Sequence, residues 1–294
     1  LNIKILLYIK KMVNIGYIYT EKNFSKDEKA FLRQAKRRKA KLIMFNTSED
    51  IDEDEIKAKA KECDIIFNNT AEKFSVEFIK TLEELGKKVI EPSRTYYYIE
   101  DKWMFYLECE KNKILCPKTI LLSENLNLIK KDLKKFNNWP VILKKIEGCC
   151  GESVEKAEDT PSAIEVIKRF WGNNEEKVPI IAQEYIHSPS YRVTVIDGKI
   201  VQTALKENKG WKCTGVYEKK FKKFPVGKDL KNIIKKVIDV VKINVCGIDL
   251  LKKNNYWYVL EVNSSPAFDF FEDEREMLVG KVINMLIKKT MHHP

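Results

Sequence analysis

Between Val13 and Pro92, apolar runs and amphipathic runs take turns along the chain. Strand-like VNIGYIYT is followed by a helical pattern from Ser25, KLIMFN by one near 52 to 62, and CDIIFN by one near 75 to 85. KKVIEP closes the series. Such alternation predicts a parallel sheet covered by helices. Ser25 followed by Glu28 reads as a capping box, which marks where the first helix opens. A boundary falls around Pro92, after which EPSRTYYYIEDKW leads into a helix and a differently patterned region. There the chain predicts a short strand PVILKK from Pro140, a glycine-flanked loop GCCGES, a helix over 161 to 171 and a buried strand PIIAQEYI. YRVTVID and KIVQTAL, joined by Asp197-Gly198, carry the strongest short hairpin signal. Over 228 to 242, Leu230, Ile233, Ile234, Val237, Ile238 and Val241 share one helical face and read as core. A second hairpin and a helix from about 274 to 289 follow.

That second hairpin bears the candidate chemistry. Apolar GIDLL and aromatic YWYVL flank Lys252, Lys253, Asn254 and Asn255, and asparagine tolerates the positive φ of tight turns. Glu261 and Asn263 project on the same side of their strand, and Asp249 sits in the preceding one. Two carboxylates and an amide are hard oxygen ligands, suited to magnesium or manganese shared with a phosphate. Polar residues at solvated strand ends are the equal alternative on spacing alone. Lys144 ends an apolar strand four residues before Gly148-Cys149-Cys150-Gly151, which fits a phosphate cradle or a plain surface loop. Arg192 on YRVTVID offers a bidentate cation for a carboxylate or phosphate, or a surface ion pair. Lys102 is equally open between a phosphate contact and a solvated helix face. With only His187, His292 and His293 present, no histidine cluster or Ser/His/Asp order suggests itself.

The chain has 294 residues, 44% of them hydrophobic, and a net charge of +11, which favours anionic partners. Only seven of its 54 basic residues are arginine, so part of the charge reflects a lysine-rich composition. Cysteines 63, 109, 116, 149, 150, 213 and 246 are odd in number and lack a C-x-x-C pair. That argues against a disulfide framework or zinc ribbon and for a cytoplasmic protein. Apolar Leu1 to Ile9 is too short to span a bilayer, so no membrane segment is expected, and residues 1–11 ahead of Met12 read as an extension. Two basic stretches bear on nucleic acid. Lys36-Arg37-Arg38-Lys39 suits a helix C-terminus, and Lys219 to Phe224 suits either single strands or a solvated strand with alternating phenylalanine, so a nucleic-acid partner is not expected.

Taken in order, DK at 101, PVILKK ending at 145, GCCG, QEYI at 183–186, YRVTVIDGKIV, GID at 247 and EVNSSP at 261 resemble the ATP-grasp superfamily, and within it the RimK-like carboxylate-amine ligases. The resemblance covers about 13 to 290. It implies an α/β ATP-grasp fold: a Rossmann-like parallel domain at 1–98, then two α+β lobes, 99–178 with the glycine-rich loop and 179–294 with the metal site, that clasp ATP. It further implies that Lys102 and Lys144 contact ATP phosphates and that the loop from Gly148 to Ser153, which includes Gly151, closes over them. Gln183, Glu184, Tyr185 and Ile186 would form the interlobe hinge, whose backbone recognises the adenine edge and whose Glu184 binds nearby, and Arg192 and Lys206 would face the reacting groups. Asp249, Glu261 and Asn263 would hold Mg2+ or Mn2+. The implied reaction is ATP- and Mg-dependent joining of a carboxylate and an amine through an acyl phosphate, adding an amino acid such as glutamate to a cofactor or polypeptide carboxylate. A non-catalytic nucleotide-binding regulator of the same fold is the alternative, and a homo-oligomer is compatible with either. The chain departs from the family at His187-Ser188-Pro189-Ser190, where a ribose-binding acid is common. It departs again at Trp211-Lys212-Cys213-Thr214-Gly215, where an Arg-x-Asn element is common, and at Ala267, where glycine is usual.

Overall fold

Continuous apolar runs such as Ile65–Asn68 have no polar face to give to water, so they settle in a sheet covered on both sides. The computed structural model describes residues 12–49, 52–70, 72–148, 153–173, 176–206, 210–212 and 221–291. These divide into two compact units, one of residues up to Pro92 together with those from Phe271, the other Ser93–Phe270. Residues 1–11, read above as an extension, lie outside the described residues.

The first unit holds β1 (Val13–Tyr19), β2 (Ala40–Asn46), β3 (Ile65–Asn68) and β4 (Val89–Ile90), all parallel, in spatial order β2-β1-β3-β4. Helices α1 (Lys26–Arg37), α2 (Glu53–Glu62) and α3 (Lys73–Glu84) make the crossovers. Ser25 caps α1 as its spacing predicts: its hydroxyl accepts from the Asp27 N–H at 3.1 Å, and the Ser25 N–H donates to Glu28 at 2.9 Å. Glu28 also accepts from the Tyr17 hydroxyl at 3.1 Å, which ties the cap to β1.

The second unit begins with α4 (Ser93–Ile99) and α5 (Lys102–Lys111). An antiparallel sheet of β5 (Thr119–Leu121), β6 (Val141–Lys145), β7 (Val154–Ala157) and β8 (Ile180–Glu184) follows, in order β5-β8-β6-β7, with α6 (Leu126–Phe136) and α7 (Thr160–Trp171) over its apolar face. A second antiparallel sheet contains β9 (Ser190–Ile196), β10 (Lys199–Lys206), β11 (Phe221–Lys222), β12 (Val245–Lys253) and β13 (Tyr256–Asn263), in order β11-β10-β9-β12-β13. Helix α8 (Lys228–Val241) buries Leu230, Ile234, Val237 and Val241 against its Val193, Val195, Ile248 and Leu250 face. Both hairpins turn as the sequence demands, with positive φ at Asp197 and Gly198 and at Asn254 and Asn255.

Two boundaries differ from the sequence reading. The last helix, α9 (Arg275–Met291), packs on α1 in the first unit and not in the 179–294 lobe. Leu278, Val279, Val282, Ile283 and Leu286 are buried there, Arg275 Nε donates to Asp27 Oδ1 at 2.6 Å, and Arg38 Nε donates to Asn284 Oδ1 at 2.7 Å. The latter bond engages one residue of the basic Lys36–Lys39 run in packing. Strand β8 lies between β5 and β6, so the break set at 178/179 falls inside the central sheet's sequence. A five-residue strand that is buried along both faces carries no mark of which sheet it joins.

The Lys219–Phe224 stretch is described from Phe221 onward. Phe221 meets Phe270 at 4.9 Å between ring centroids and Phe224 meets Tyr191 at 5.1 Å, so its aromatics pack inward. Among the described residues Cys63, Cys109, Cys116 and Cys246 are free thiols, and no helix is long and apolar enough to cross a membrane.

Because Ser25 caps α1 and, through Glu28, anchors it to β1, Ser25→Ala is expected to cost about 1 kcal/mol. A urea denaturation series read by circular dichroism would show the midpoint falling, and an unchanged midpoint would remove the cap from the account of stability.

Candidate active site

Strand register assembles the site. On one side of β12, Asp249 stands opposite Arg192 of β9; on the other, it stands opposite Glu261 of β13, and Gly247 opposite Asn263. Residues paired across antiparallel strands share a face, so Arg192, Asp249, Glu261 and Asn263 project together, away from the α8 core. Lys206 joins them from β10, where it pairs with Ser190, two residues from Arg192.

Asp249 is the centre of this cluster and is 1% exposed. Arg192 binds it with two parallel bonds, Nε to Oδ1 at 2.6 Å and Nη2 to Oδ2 at 2.7 Å, and Lys206 Nζ donates to Oδ1 at 3.2 Å. Burial alone would push this carboxyl up; the Arg192 and Lys206 cations overcome it and hold the group at about 2. Glu261 moves the other way. Burial and then the charge of Asp249 raise it, against the pull of Lys144, Arg192 and Lys102.

Among the described residues the Glu261 carboxylate forms no hydrogen bond or ion pair. Asp249 Oδ2 also accepts from Asn263 Nδ2 at 3.4 Å. A carboxylate without a partner beside a second that stays ionised, with an amide next to both, fits a hard divalent cation. No group of three His, Cys, Asp or Glu side chains poised for a metal occurs among the described residues.

The other expected residues line a cleft between the two sheets of this unit. Ile142, Lys144, Val154, Gln183, Glu184, Tyr185 and Ile186 come from the first sheet and its exit; Leu251 and Leu260 come from the second, and Trp211 and Lys212 from the segment after β10. Aliphatic walls with a cation and a carboxylate at the rim suit a flat heteroaromatic base joined to phosphates. Lys144 is buried, and its ammonium donates to Gln183 Oε1 at 2.7 Å; Gln183 Nε2 in turn donates to Thr119 Oγ1 at 3.0 Å. Lys102 caps the start of the glycine loop, donating from Nζ to the Gly148 carbonyl at 2.7 Å. Gly148 has φ of +122°, open to glycine and strained for other residues. Gly151, Cys149 and Cys150 lie outside the described residues, as do Cys213, Thr214 and Gly215. Glu184 accepts from Lys253 Nζ at 2.6 Å and from the Lys118 N–H at 3.3 Å, while the Tyr185 hydroxyl meets His187 Nδ1 at 3.2 Å.

Sequence reasoning missed three contributors. Gln183 enters as the acceptor for Lys144, although only its backbone role was expected. Lys253 reaches Glu184 from the turn of the second hairpin, and Phe270 lies under Arg192 and Lys206 at 5.8 and 5.7 Å. None carries a local signal, since each acts across strands far apart in sequence.

Comparison with known proteins gives the family of the chain. A family model for the RimK-like ATP-grasp domain matches residues 99–286. A coenzyme γ-F420-2:α-L-glutamate ligase of Methanocaldococcus jannaschii is 27% identical over 202 residues, covering 68% of this chain and 70% of that protein. The Methanococcus maripaludis protein of the same name is 28% identical over 222 residues, covering 73% and 76%. Among solved structures, a RimK domain ATP-grasp protein from Sphaerobacter thermophilus superposes with a TM-score of 0.72 at 13% identity, over 94% of this chain and 100% of that one. A D-alanine–D-alanine ligase from Bacillus anthracis, complexed with ATP, gives 0.71 at 18% identity, over 95% and 97%. The family match and the ligase relatives support ATP-dependent carboxylate-amine ligation and not the non-catalytic alternative. Since the matched span contains every lysine, hinge and oxygen-donor residue of the site, the chain belongs to the RimK-like ATP-grasp family.

Proposed function

We propose that this ligase uses ATP and Mg2+ or Mn2+ to activate a carboxylate on an anionic cofactor or polypeptide as an acyl phosphate, and then joins it to the amine of an amino acid such as glutamate. The observation that carries the metal assignment is the oxygen-donor face of Asp249, Glu261 and Asn263, where Glu261 lies in the fields of Lys144 and Lys102. Glutamate rests on the names of the relatives. An anionic acceptor is supported by the net charge of +11.

Asp249, Glu261 and Asn263 would hold the metal, which when bound neutralises charge on the phosphates of ATP. Lys144, aimed by Gln183, and Lys102, at the foot of the glycine loop, present ammonium groups to the same phosphates. A carboxylate is a poor electrophile, so its oxygen first attacks the γ-phosphate of ATP, releasing ADP and forming the acyl phosphate, and the neutral amine then attacks the acyl carbon, displacing phosphate and losing a proton. Arg192 and Lys206 keep Asp249 ionised and bring positive charge to the face where phosphoryl charge develops. Each preorganised contact of this kind contributes about 2.7 to 4 kcal/mol. Glu184 is held by Lys253 and the Lys118 N–H, so it meets the nucleotide as a fixed acceptor.

Incubation with ATP, Mg2+ and pairs of candidate acids and amines should release phosphate only when both substrates are present. In Glu261→Ala that release is expected to fall by about a hundredfold or more; full retention would remove Glu261 from the metal site. Gln183→Met keeps the side-chain volume and deletes an acceptor for Lys144. Its KM for ATP should rise roughly tenfold with a smaller change in kcat. An unchanged KM would show that the bond to Lys144 does not serve nucleotide binding.

A further inference from the structure

Glycine in the interior of a strand gives up backbone entropy and packs nothing, so it needs a reason such as the close approach of another group. Gly247 lies in the middle of β12, is buried, and has no positive φ to explain it. A Cβ built there would lie 2.2 Å from Arg192 Nη1 and 3.0 Å from both Cδ and Cζ. The register explains why. Arg192 stands opposite Asp249, two residues along from Gly247 on the same face, so its guanidinium lies across the strand where a side chain at 247 would stand.

The guanidinium cannot simply swing aside. Nε and Nη2 are committed to the two oxygens of Asp249, the side chain is only 9% exposed, and the Phe270 ring lies 5.8 Å from Cζ. A methyl group at 247 therefore displaces Arg192 from Asp249 or opens β12 from β9. We infer that Gly247 is a positioning residue: its missing side chain is the slot that lets Arg192 lie flat against Asp249 with Nε and Nη2 on its two oxygens. The slot rests on geometry alone, and its catalytic consequence rests on the function proposed above.

Four chains test it: wild type, Gly247→Ala, Arg192→Ala and the double variant. Thermal melting decides the slot whether or not a substrate is known, and whether or not Gly247→Ala folds well. Gly247→Ala should melt below wild type, whereas the double variant should melt no lower than Arg192→Ala, because the group that clashed is gone. A double variant that melts below Arg192→Ala by as much as Gly247→Ala melts below wild type overturns the slot. For catalysis, Gly247→Ala should lose about a hundredfold in kcat with KM for ATP little changed, since Lys144, Gln183 and Ile186 are untouched. Unchanged kcat, or a rise in KM alone, overturns the positioning role. Absence of turnover in wild type with every acid and amine pair counts against the proposed function, and the melting comparison then still decides the slot.

Discussion

The charge of Asp249 is the constraint around which the second sheet is built. An ionised carboxylate at 1% exposure is costly unless opposite charges meet it with good geometry. Three neighbouring strands share that task. β9 supplies the forked guanidinium of Arg192, β10 the ammonium of Lys206, and β12 the aspartate itself. Phe270 covers both cations, and cation–π attraction compensates part of their desolvation. With two cations already balancing Asp249, the cluster carries net positive charge until Glu261 is counted. Glu261 then brings it toward neutrality.

The first sheet of this unit solves a related problem with neutral groups. Lys144 is buried at the end of β6, and the amide of Gln183 stands where a carboxylate could have stood. An acid there would meet the ammonium as an ion pair; an amide accepts the hydrogen bond without adding a charge. Thr119 orients that amide from β5, so the aim of Lys144 depends on a relay across three strands.

Local chemistry was legible in the sequence where one residue type meets one geometric need. Ser25 with Glu28, Asp197-Gly198 and Asn254-Asn255 each fix an element edge, and the α8 stripe is core as its period predicts. The site residues came from their order along the chain, and the structure brings Arg192, Lys206, Asp249, Glu261 and Asn263 onto one face. What could not be read was pairing between distant segments. β8 is buried along both faces and shows no preference for either sheet. The fate of α9 depends on Arg275 finding Asp27 and on Arg38 finding Asn284, pairs more than 240 residues apart. Gly247 looked like part of a motif, yet its requirement is set by the reach of a side chain on another strand.

The chain between β8 and β9 shows how the two sheets of this unit are fastened. Lys253 bonds Glu184, the Lys252 N–H donates to Ser188 Oγ at 2.9 Å, and the Val259 N–H donates to the Leu115 carbonyl at 2.8 Å. The ion pair is partly exposed and contributes little by itself. The backbone donors matter more, because each fixes a strand of the second sheet to a segment flanking the first. All three ties lie at the hinge side of the cleft, at or next to residues 184–188 and 115. No regular element spans residues 185–189, so these bonds and the chain itself hold the two sheets together there. The positions where a ribose-binding acid was expected thus have a structural task here: Ser188 accepts from the Lys252 N–H and His187 meets the Tyr185 hydroxyl.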